Sequence, residues 1–318
     1  MREDEIIHTT MSTKRIFAIL QDLVQFLVLF VQVVLEVINT AIHKFLPISQ
    51  KDISDETVLI TGTGHGIGRE LALQYAALGC TVVCVDIDEK GNAETVEQAK
   101  RLNRGAVHKF TCDVSERLQV LALAVRVREH VGAITVLVNN VGIMPTHPLM
   151  QQTEDEIQRV FKVNVFSQFW AVQAFLDHMK EQGRGHIIAI SSIAGLVGLS
   201  NLVPYCATKF AVRGMMESLH EELREGQQKE NIKTTIIYPY MTNTGLCKRP
   251  RVKFPSLMSL MEPQHVAKKI VEAHRADAME ASIPSTLIHI NNKTRLLPHK
   301  CIIWIKDFID SGVESDLK

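Results

Sequence analysis

The stretch Val58-Leu59-Ile60-Thr61-Gly62-Thr63-Gly64-His65-Gly66-Ile67-Gly68 decides the fold. Its first four residues form an apolar run short enough for a strand buried on both faces. Glycine then recurs at 62, 64, 66 and 68, and Arg69-Glu70-Leu71-Ala72-Leu73-Gln74-Tyr75 continues in a helical pattern. Strand, glycine-rich turn and helix in that order bring backbone amides and a helix N-terminus against a pyrophosphate. Such a turn alone is weak, because loops collect glycine for many reasons. The next strand strengthens it. Thr81-Val82-Val83-Cys84-Val85 ends at Asp86, where a carboxylate can accept hydrogen bonds from both adenosine ribose hydroxyls. It would also repel a 2′-phosphate, so NAD is expected rather than NADP. A strand-end cap or turn residue is the plainer alternative for Asp86.

Outward from there the pattern repeats. Residues 90–102, 116–130, 154–182 and 205–225 read as helices, and 106–111, 136–138, 186–190 and 233–237 as strands. The alternation implies an α/β protein with a doubly wound parallel sheet (Rossmann fold) covered on both faces. The chain has 318 residues, of which 46% are hydrophobic, so global disorder and disulfide-stapled scaffolds are excluded. With 35 Lys+Arg against 35 Asp+Glu, it carries no electrostatic footprint for nucleic acid. Six Cys form no C-x-x-C pair and the His residues lack ligand spacing, so no metal site is expected. Thiols in apolar surroundings suit a reducing compartment. Three parts are expected: a membrane-associated segment over 1–50, the sheet domain over 55–280, and a C-terminal extension over 281–318 contacting a membrane or the substrate lid.

In such a sheet, ligands sit beyond the carboxyl ends of the strands. Ser191-Ser192 closes the strand 186–190, and Tyr205-Cys206-Ala207-Thr208-Lys209 opens the following helix. The i, i+4 spacing puts Tyr205 and Lys209 on one face. Tyrosine has a pKa of about 10, so serving as a base near pH 7 requires lowering it by about 3, worth about 4 kcal/mol. A cation about 4 Å away at an effective dielectric of about 20 supplies that much. Lys209 is one such cation, and an oxidised nicotinamide ring would be a second. Alone, a Tyr and a Lys four apart usually mean a solvated helix face. After a glycine loop and a ribose-binding carboxylate the balance tips to chemistry.

Taken in order, the motifs resemble the short-chain dehydrogenase/reductase family over about residues 55 to 280. They are Thr61-Gly62-x-x-x-Gly66-Ile67-Gly68, Asp113, Asn139-Asn140-x-Gly142, Val163-Asn164-Val165, Ser192, Tyr205-x-x-x-Lys209, and Pro239 with Thr244. The resemblance implies that Tyr205 is the general acid/base and that Ser192 hydrogen-bonds the reacting oxygen of the substrate. Lys209 would lower the Tyr205 pKa and bind the nicotinamide ribose, while Asn164 would hold a water linking Lys209 to solvent. Gly62, Gly66, Ile67, Gly68, Asp86, Asp113, Val114, Asn140 and Thr244 would join Tyr205 and Lys209 as cofactor contacts, Asp113 at the adenine and Thr244 at the carboxamide. A homodimer is implied too. Two positions depart from the pattern: Val141 where Ala is common, and Tyr240 where Gly usually follows Pro239. Both could tighten the pocket, and neither removes a catalytic group. A looser similarity is to the subgroup holding epidermal retinol dehydrogenase 2 and the 17-beta-hydroxysteroid dehydrogenases 11 and 13. It rests on the N-terminal helix, Asp86 and Lys233-Thr234-Thr235-Ile236-Ile237, and implies hydrophobic alcohol substrates at the endoplasmic reticulum or lipid droplets.

Residues 16–45 are mostly apolar, yet the stretch without formal charge, 23–35, spans only about 20 Å, short of a hydrocarbon core of about 30 Å. The interruptions are ordered. At about 100° per residue, Gln21, Asp22, Gln25, Gln32, Glu36, Asn39, Thr40 and His43 share one arc with only Ala18 and Leu29. A long helix with a narrow polar stripe lies deep in a membrane interface or pairs its stripe inside the bilayer. A cleaved signal peptide is disfavoured by the acidic interruptions, and a core helix by having little left to pack against. Membrane association without a necessary crossing is the expectation, with the catalytic domain facing the cytosol.

Other features have plainer readings. The basic run Lys248-Arg249-Pro250-Arg251-Val252-Lys253 fits a lid near anionic headgroups better than a nuclear signal. Asn292-Lys293-Thr294 is a sequon, taken as unused. Residues 296–309 are either a membrane-contacting element or a helix over the sheet edge. Together these point to an NAD-dependent oxidoreductase acting on a lipophilic alcohol of retinoid or steroid class. The alternatives are an NADPH-linked carbonyl reductase, which Asp86 opposes, and a lipid-droplet or membrane scaffold that binds NAD without turnover.

Overall fold

The computed structural model describes residues 2–43, 50–102, 105–226, 231–256 and 258–317. It separates into two units, Met1–Ser49 and Gln50–Lys318. The first is one helix, α1 (Arg2–His43). Its portion Arg15–Asn39 is long and apolar enough to cross a membrane, and none of it is buried. On the polar stripe, Asn39 Nδ2 donates to Glu36 Oε2 at 3.5 Å. Residues 44–45 of the expected helix lie outside the described residues, as do the side chains of Thr40 and His43.

The second unit alternates strands and helices. In order come β1 (Thr57–Thr61), α2 (Gly66–Ala77), β2 (Thr81–Asp86), α3 (Glu89–Leu102), β3 (Val107–Thr111), α4 (Arg117–His130), β4 (Val136–Asn139), α5 (Glu154–Phe161), α6 (Ser167–Glu181), β5 (Gly185–Ile190), α7 (Val203–Glu225) and β6 (Ile232–Pro239). Then follow β7 (Pro250–Val252), α8 (Pro263–Arg275), β8 (Glu280–Ile283), α9 (Thr286–Thr294), α10 (His299–Ile309) and β9 (Ser311–Val313). Seven strands form one sheet in the order β3-β2-β1-β4-β5-β6-β8, all paired parallel. The order reverses between β1 and β4, which opens a crevice at their carboxyl ends.

Side-chain alternation builds two cores. Val58 and Ile60 of β1 point to one face with Val82, Cys84, Val136 and Val138, under α2, α3 and α8. Leu59 points to the other with Val83, Val85, Leu137 and Ile187, under α4, α6 and α7. Both faces are dry, which is why these strands read as continuous apolar runs. β8, Glu280-Ala281-Ser282-Ile283, lacks such a run and was not legible in the sequence. It is an edge strand that pairs Ile236 with Glu280 and Pro239 with Ile283. β7 and β9 form a separate antiparallel pair, so the basic run at 248–253 is pinned by a strand.

The single helix expected at 154–182 is broken into α5 and α6 by a π turn at Lys162–Phe166. α5 starts from a capping box, with Thr153 Oγ1 accepting from the Glu156 amide at 3.2 Å and Glu156 Oε2 accepting from the Thr153 amide at 2.8 Å.

All six cysteines are free thiols. Burial pushes Cys80 and Cys84 up to about 12 and Cys112 up to about 11, so these three are inert core residues.

At the opposite end of the sheet lies a buried polar cluster. His186 Nε2 and Thr235 Oγ1 are 2.7 Å apart, and the His186 and His274 rings meet edge to face with centroids 4.6 Å apart. The Tyr75 hydroxyl is 3.1 Å from His274 Nδ1. Lys51 Nζ stands 3.5 Å from His186 Nδ1 and donates to Asp277 at 2.6 Å. Burial, reinforced by nearby cations, holds both imidazoles well below their ordinary value, His274 to about 3.

Candidate active site

The glycine turn is shaped by main-chain demands. Gly62 and Gly66 have φ of +77° and +61°, where a Cβ is strained. A Cβ on Gly68 would collide with the carbonyl oxygen of Gly62, so this approach of helix to strand requires glycine. His65 caps α2 without a side-chain hydrogen bond, and the first turn carries no acidic residue. The amides at this helix end are therefore available to an anion, with the helix dipole favouring one.

Asp86 is held at the mouth of the same turn. Its Oδ2 accepts from the Gly64 amide at 2.7 Å and its Oδ1 from the Asp88 amide at 2.8 Å. A carboxylate offers about four lone-pair sites, so two of these remain for hydroxyl donors. Asp113 is similarly fixed, accepting from the Ser115 amide at 2.9 Å and its hydroxyl at 2.7 Å. Asn140 acts through its neighbours: its Nδ2 donates to the carbonyls of Thr61 at 2.9 Å and Gly62 at 3.2 Å, clamping β1 to β4. Thr244 stands 3.0 Å from where a Gly66 Cβ would be. Gly62, Gly66, Asp86, Asp113, Asn140 and Thr244, with Ile67 and Val114, line one cavity of about 720 Å³, while Gly68 stands behind them against Gly62. A glycine cradle that no Cβ can enter, a free helix N-terminus and a fixed carboxylate suit a dinucleotide.

Ser192, Tyr205 and Lys209 line that same cavity. Ser192 follows β5, its Oγ accepts from the Ala194 amide at 3.1 Å, and its hydroxyl bonds the Tyr205 phenol. Tyr205 and Lys209 sit on the first turns of α7 and are both buried. Burial pushes the Tyr205 phenol up to about 12, while its hydrogen bond to Ser192 pulls the other way. Lys209 Nζ donates to the Ile190 carbonyl at 2.9 Å and lies 5.6 Å from the Tyr205 ring centroid. Burial lowers the Lys209 ammonium to about 8. The lysine is thus aimed past the ring at the strand end, without a direct bond to the phenol.

Asn164 lies in the π turn and is fully buried. Its Oδ1 accepts from the Ile143 amide at 2.8 Å, and its Nδ2 donates to the Ile143 carbonyl at 3.0 Å and to Thr208 Oγ1 at 3.1 Å. Its side chain is a two-point clamp on the loop segment following β4. A Cβ on Gly142 would touch Lys209 Nζ at 3.5 Å and Asn164 Oδ1 at 3.6 Å, so these two groups flank one glycine.

Two contributions escaped sequence reading. Tyr240, the departure after Pro239, places its hydroxyl 2.6 Å from Ser311 Oγ, tying β6 to β9; no local pattern signals a pair 71 residues apart. Val141 packs against the core and stands 3.0 Å from where a Gly62 Cβ would be. The second contribution is the wall from α9 and α10: Leu287, Ile290, Ile302, Ile305 and Ile309 line the cavity. Their apolar spacing was visible, but the surface they cover was not.

The sequence profile of the short chain dehydrogenase family matches residues 56–253. Human epidermal retinol dehydrogenase 2 is 37% identical over 272 residues, covering 86% of this chain and 88% of that protein. Human estradiol 17-beta-dehydrogenase 11 is 34% identical over 269 residues, covering 85% and 88%. Among solved structures, a short chain dehydrogenase/reductase from Burkholderia phymatum superposes with a TM-score of 0.69 at 24% identity, over 84% of this chain and 99% of that one. The sheet order, the glycine cradle and these relatives agree, and the chain belongs to the short-chain dehydrogenase family, oxidoreductases that act on CH–OH groups.

Proposed function

We propose that the protein is an NAD-dependent oxidoreductase for a lipophilic alcohol, ketone or aldehyde of retinoid or steroid class. It would work at the endoplasmic reticulum membrane or a lipid droplet, with its catalytic unit facing the cytosol. The observation that carries this reading is a single cavity shared by the glycine turn, the Ser192–Tyr205–Lys209 group and a wall of isoleucines. The names of the retinol and estradiol relatives support the substrate class.

When bound, the nicotinamide supplies the hydride donor or acceptor. The chain does the rest. Ser192, already hydrogen-bonded to the Tyr205 phenol, holds the reacting oxygen through its hydroxyl and sets it against Tyr205. Tyr205 takes the hydroxyl proton in oxidation and returns it in reduction. Burial makes the phenolate costly, so positive charge must stand nearby when it forms, and Lys209 is that charge. With its pKa lowered only to about 8, Lys209 remains mostly protonated at pH 7. Asn164 holds the Ile143 segment still and would hold a water that links Lys209 to solvent as a proton relay.

Asp86 tests the cofactor assignment. Wild-type protein should bind NADH more tightly than NADPH, and Asp86→Ala should erode that preference at least tenfold by removing ribose bonds and the repulsion of a 2′-phosphate. Fluorescence titration with both cofactors reads it. Tighter binding of NADPH by the wild type would instead support a carbonyl reductase.

The polar stripe of α1 tests the membrane assignment. Leu27→Lys on the apolar face should weaken vesicle binding far more than Gln25→Lys on the stripe. Deleting residues 1–50 should release the protein from neutral phosphatidylcholine vesicles and spare NADH binding, since β1 begins at Thr57. Equal effects of the two lysine variants in a flotation assay would favour a plain spanning anchor.

A further inference from the structure

Helix α10 is apolar on two sides. Ile302, Ile305 and Ile309 line the cavity, as expected of a wall. On the other side Trp304 is 59% exposed and Phe308 66%, and Leu296, on the turn before the helix, is 86% exposed. Ile303 and Leu297 extend this surface, and the Phe254 ring joins it, 5.3 Å from that of Phe308. A contiguous patch of large apolar side chains marks a contact surface on a soluble unit.

Charge around the patch is mostly positive, with Asp307 the one exposed carboxylate on this face of α10. Lys300 Nζ lies 5.4 Å over the Trp304 ring, and Lys253 Nζ lies 5.5 Å and 5.4 Å over Phe254 and Phe308. Lys293 is nearby in sequence at the end of α9. Among the described residues, none of these three lysines pairs with a carboxylate, whereas Arg251 pairs with Asp310 at 3.1 Å. Exposed aromatics overlaid by unpaired ammonium groups match the boundary between acyl chains and anionic headgroups, where indole and lysine both partition. A protein partner of ordinary composition would supply acidic side chains one by one. A lipid surface offers apolar depth and diffuse negative charge together.

We propose that this face of α10, with Leu296, Leu297 and Phe254, docks on an anionic lipid surface. The helix that walls the substrate cavity is then also the layer against the lipid, and a lipophilic substrate passes from lipid to cavity around one helix without entering bulk water. The second statement rests on the substrate class proposed above; the docking itself does not.

The full chain contains two tryptophans, so a Trp170→Phe background leaves Trp304 as the sole reporter. Reconstituted on phosphatidylcholine vesicles containing phosphatidylserine, Trp304 emission should shift to the blue and be quenched by brominated acyl chains. Omitting phosphatidylserine or introducing Lys253→Gln with Lys300→Gln should reduce the quenching. Identical emission on plain and brominated vesicles overturns the docking, as does protection of Trp304 by a second copy of the chain instead of by lipid. For entry, Trp304→Glu with Phe308→Glu should raise KM about tenfold for a long-chain alcohol presented in vesicles. It should leave kcat/KM for a short water-soluble alcohol unchanged. Equal loss on both alcohols overturns the entry route. Absence of turnover on every alcohol in the wild type would sink the enzymatic reading alone, since the quenching measurement needs no catalysis.

Discussion

Tyr205→Phe should lower kcat by about 10²- to 10⁴-fold, the range that a positioned acid–base group contributes, with the Kd for NADH nearly unchanged. The substitution removes one oxygen and keeps a ring of the same shape in a buried site, so the cavity should survive it. The proton that Tyr205 carries has no substitute within reach: Ser192 is a poor acid, and Lys209 is engaged with the Ile190 carbonyl at 2.9 Å. Lys209→Ala should behave differently. It removes the charge that makes the phenolate affordable and also a cofactor contact, so kcat and NADH affinity should fall together. Stopped-flow measurement of NADH formation alongside equilibrium titration separates the two cases. A Tyr205→Phe enzyme retaining more than a tenth of wild-type turnover would overturn the assignment.

Acidification should destabilise the protein well before its carboxylates are protonated. His186 and His274 are held neutral by burial in the folded chain, whereas the unfolded chain titrates both near pH 6.5. Above that value neither state binds the proton and the folded state keeps its full stability. As pH falls below it, the unfolded state gains protons that the folded state refuses, and stability drops by about 1.4 kcal/mol per pH unit for each imidazole. For His274 the loss continues down to about pH 3. At pH 5 His274 alone should have lost about 2 kcal/mol, and His186 adds to the loss in the same direction. Denaturant melts at pH 7.5 and pH 5 measure this directly. His274→Gln, which can still bond the Tyr75 hydroxyl, should flatten the dependence by the His274 share, about 2 kcal/mol between pH 7.5 and pH 5. An unchanged slope in that variant would show that other groups govern the acid transition.

What was legible in the sequence follows what is local. β1, the glycine turn and Asp86 are contiguous enough that strand, cradle and carboxylate could be placed from spacing alone, and the Tyr205–Lys209 pair sits within two turns of one helix. The buried central strands were readable because both faces are apolar. β8 was not: its pairing with β6 is satisfied by backbone, and only Ile283 among its side chains is strongly apolar. The π turn was not visible either, since Val163-Asn164-Val165 keeps an ordinary helical composition and the extra residue is accommodated by hydrogen bonding. The hydrogen bond from Lys209 Nζ to the Ile190 carbonyl was not legible, because i, i+4 spacing fixes a shared face and leaves the direction of a long side chain open. Tyr240 with Ser311 and the α10 wall belong to contacts that only folding brings together.

The π turn at Lys162–Phe166 makes one rod face two ways. Before it, Val160 is buried; after it, Ala171, Val172, Phe175 and Met179 are buried in the core. Excising a single residue there would rotate everything downstream by about 100° and draw it back by about 1.5 Å. Either that stripe leaves the core or Asn164 swings off Ile143. Along this stretch, then, chain length is under tighter constraint than residue identity: exposed Phe166 and Phe169 can be exchanged for many side chains, whereas one codon lost or gained misaligns the helix as a ruler misreads when a division is cut out of it.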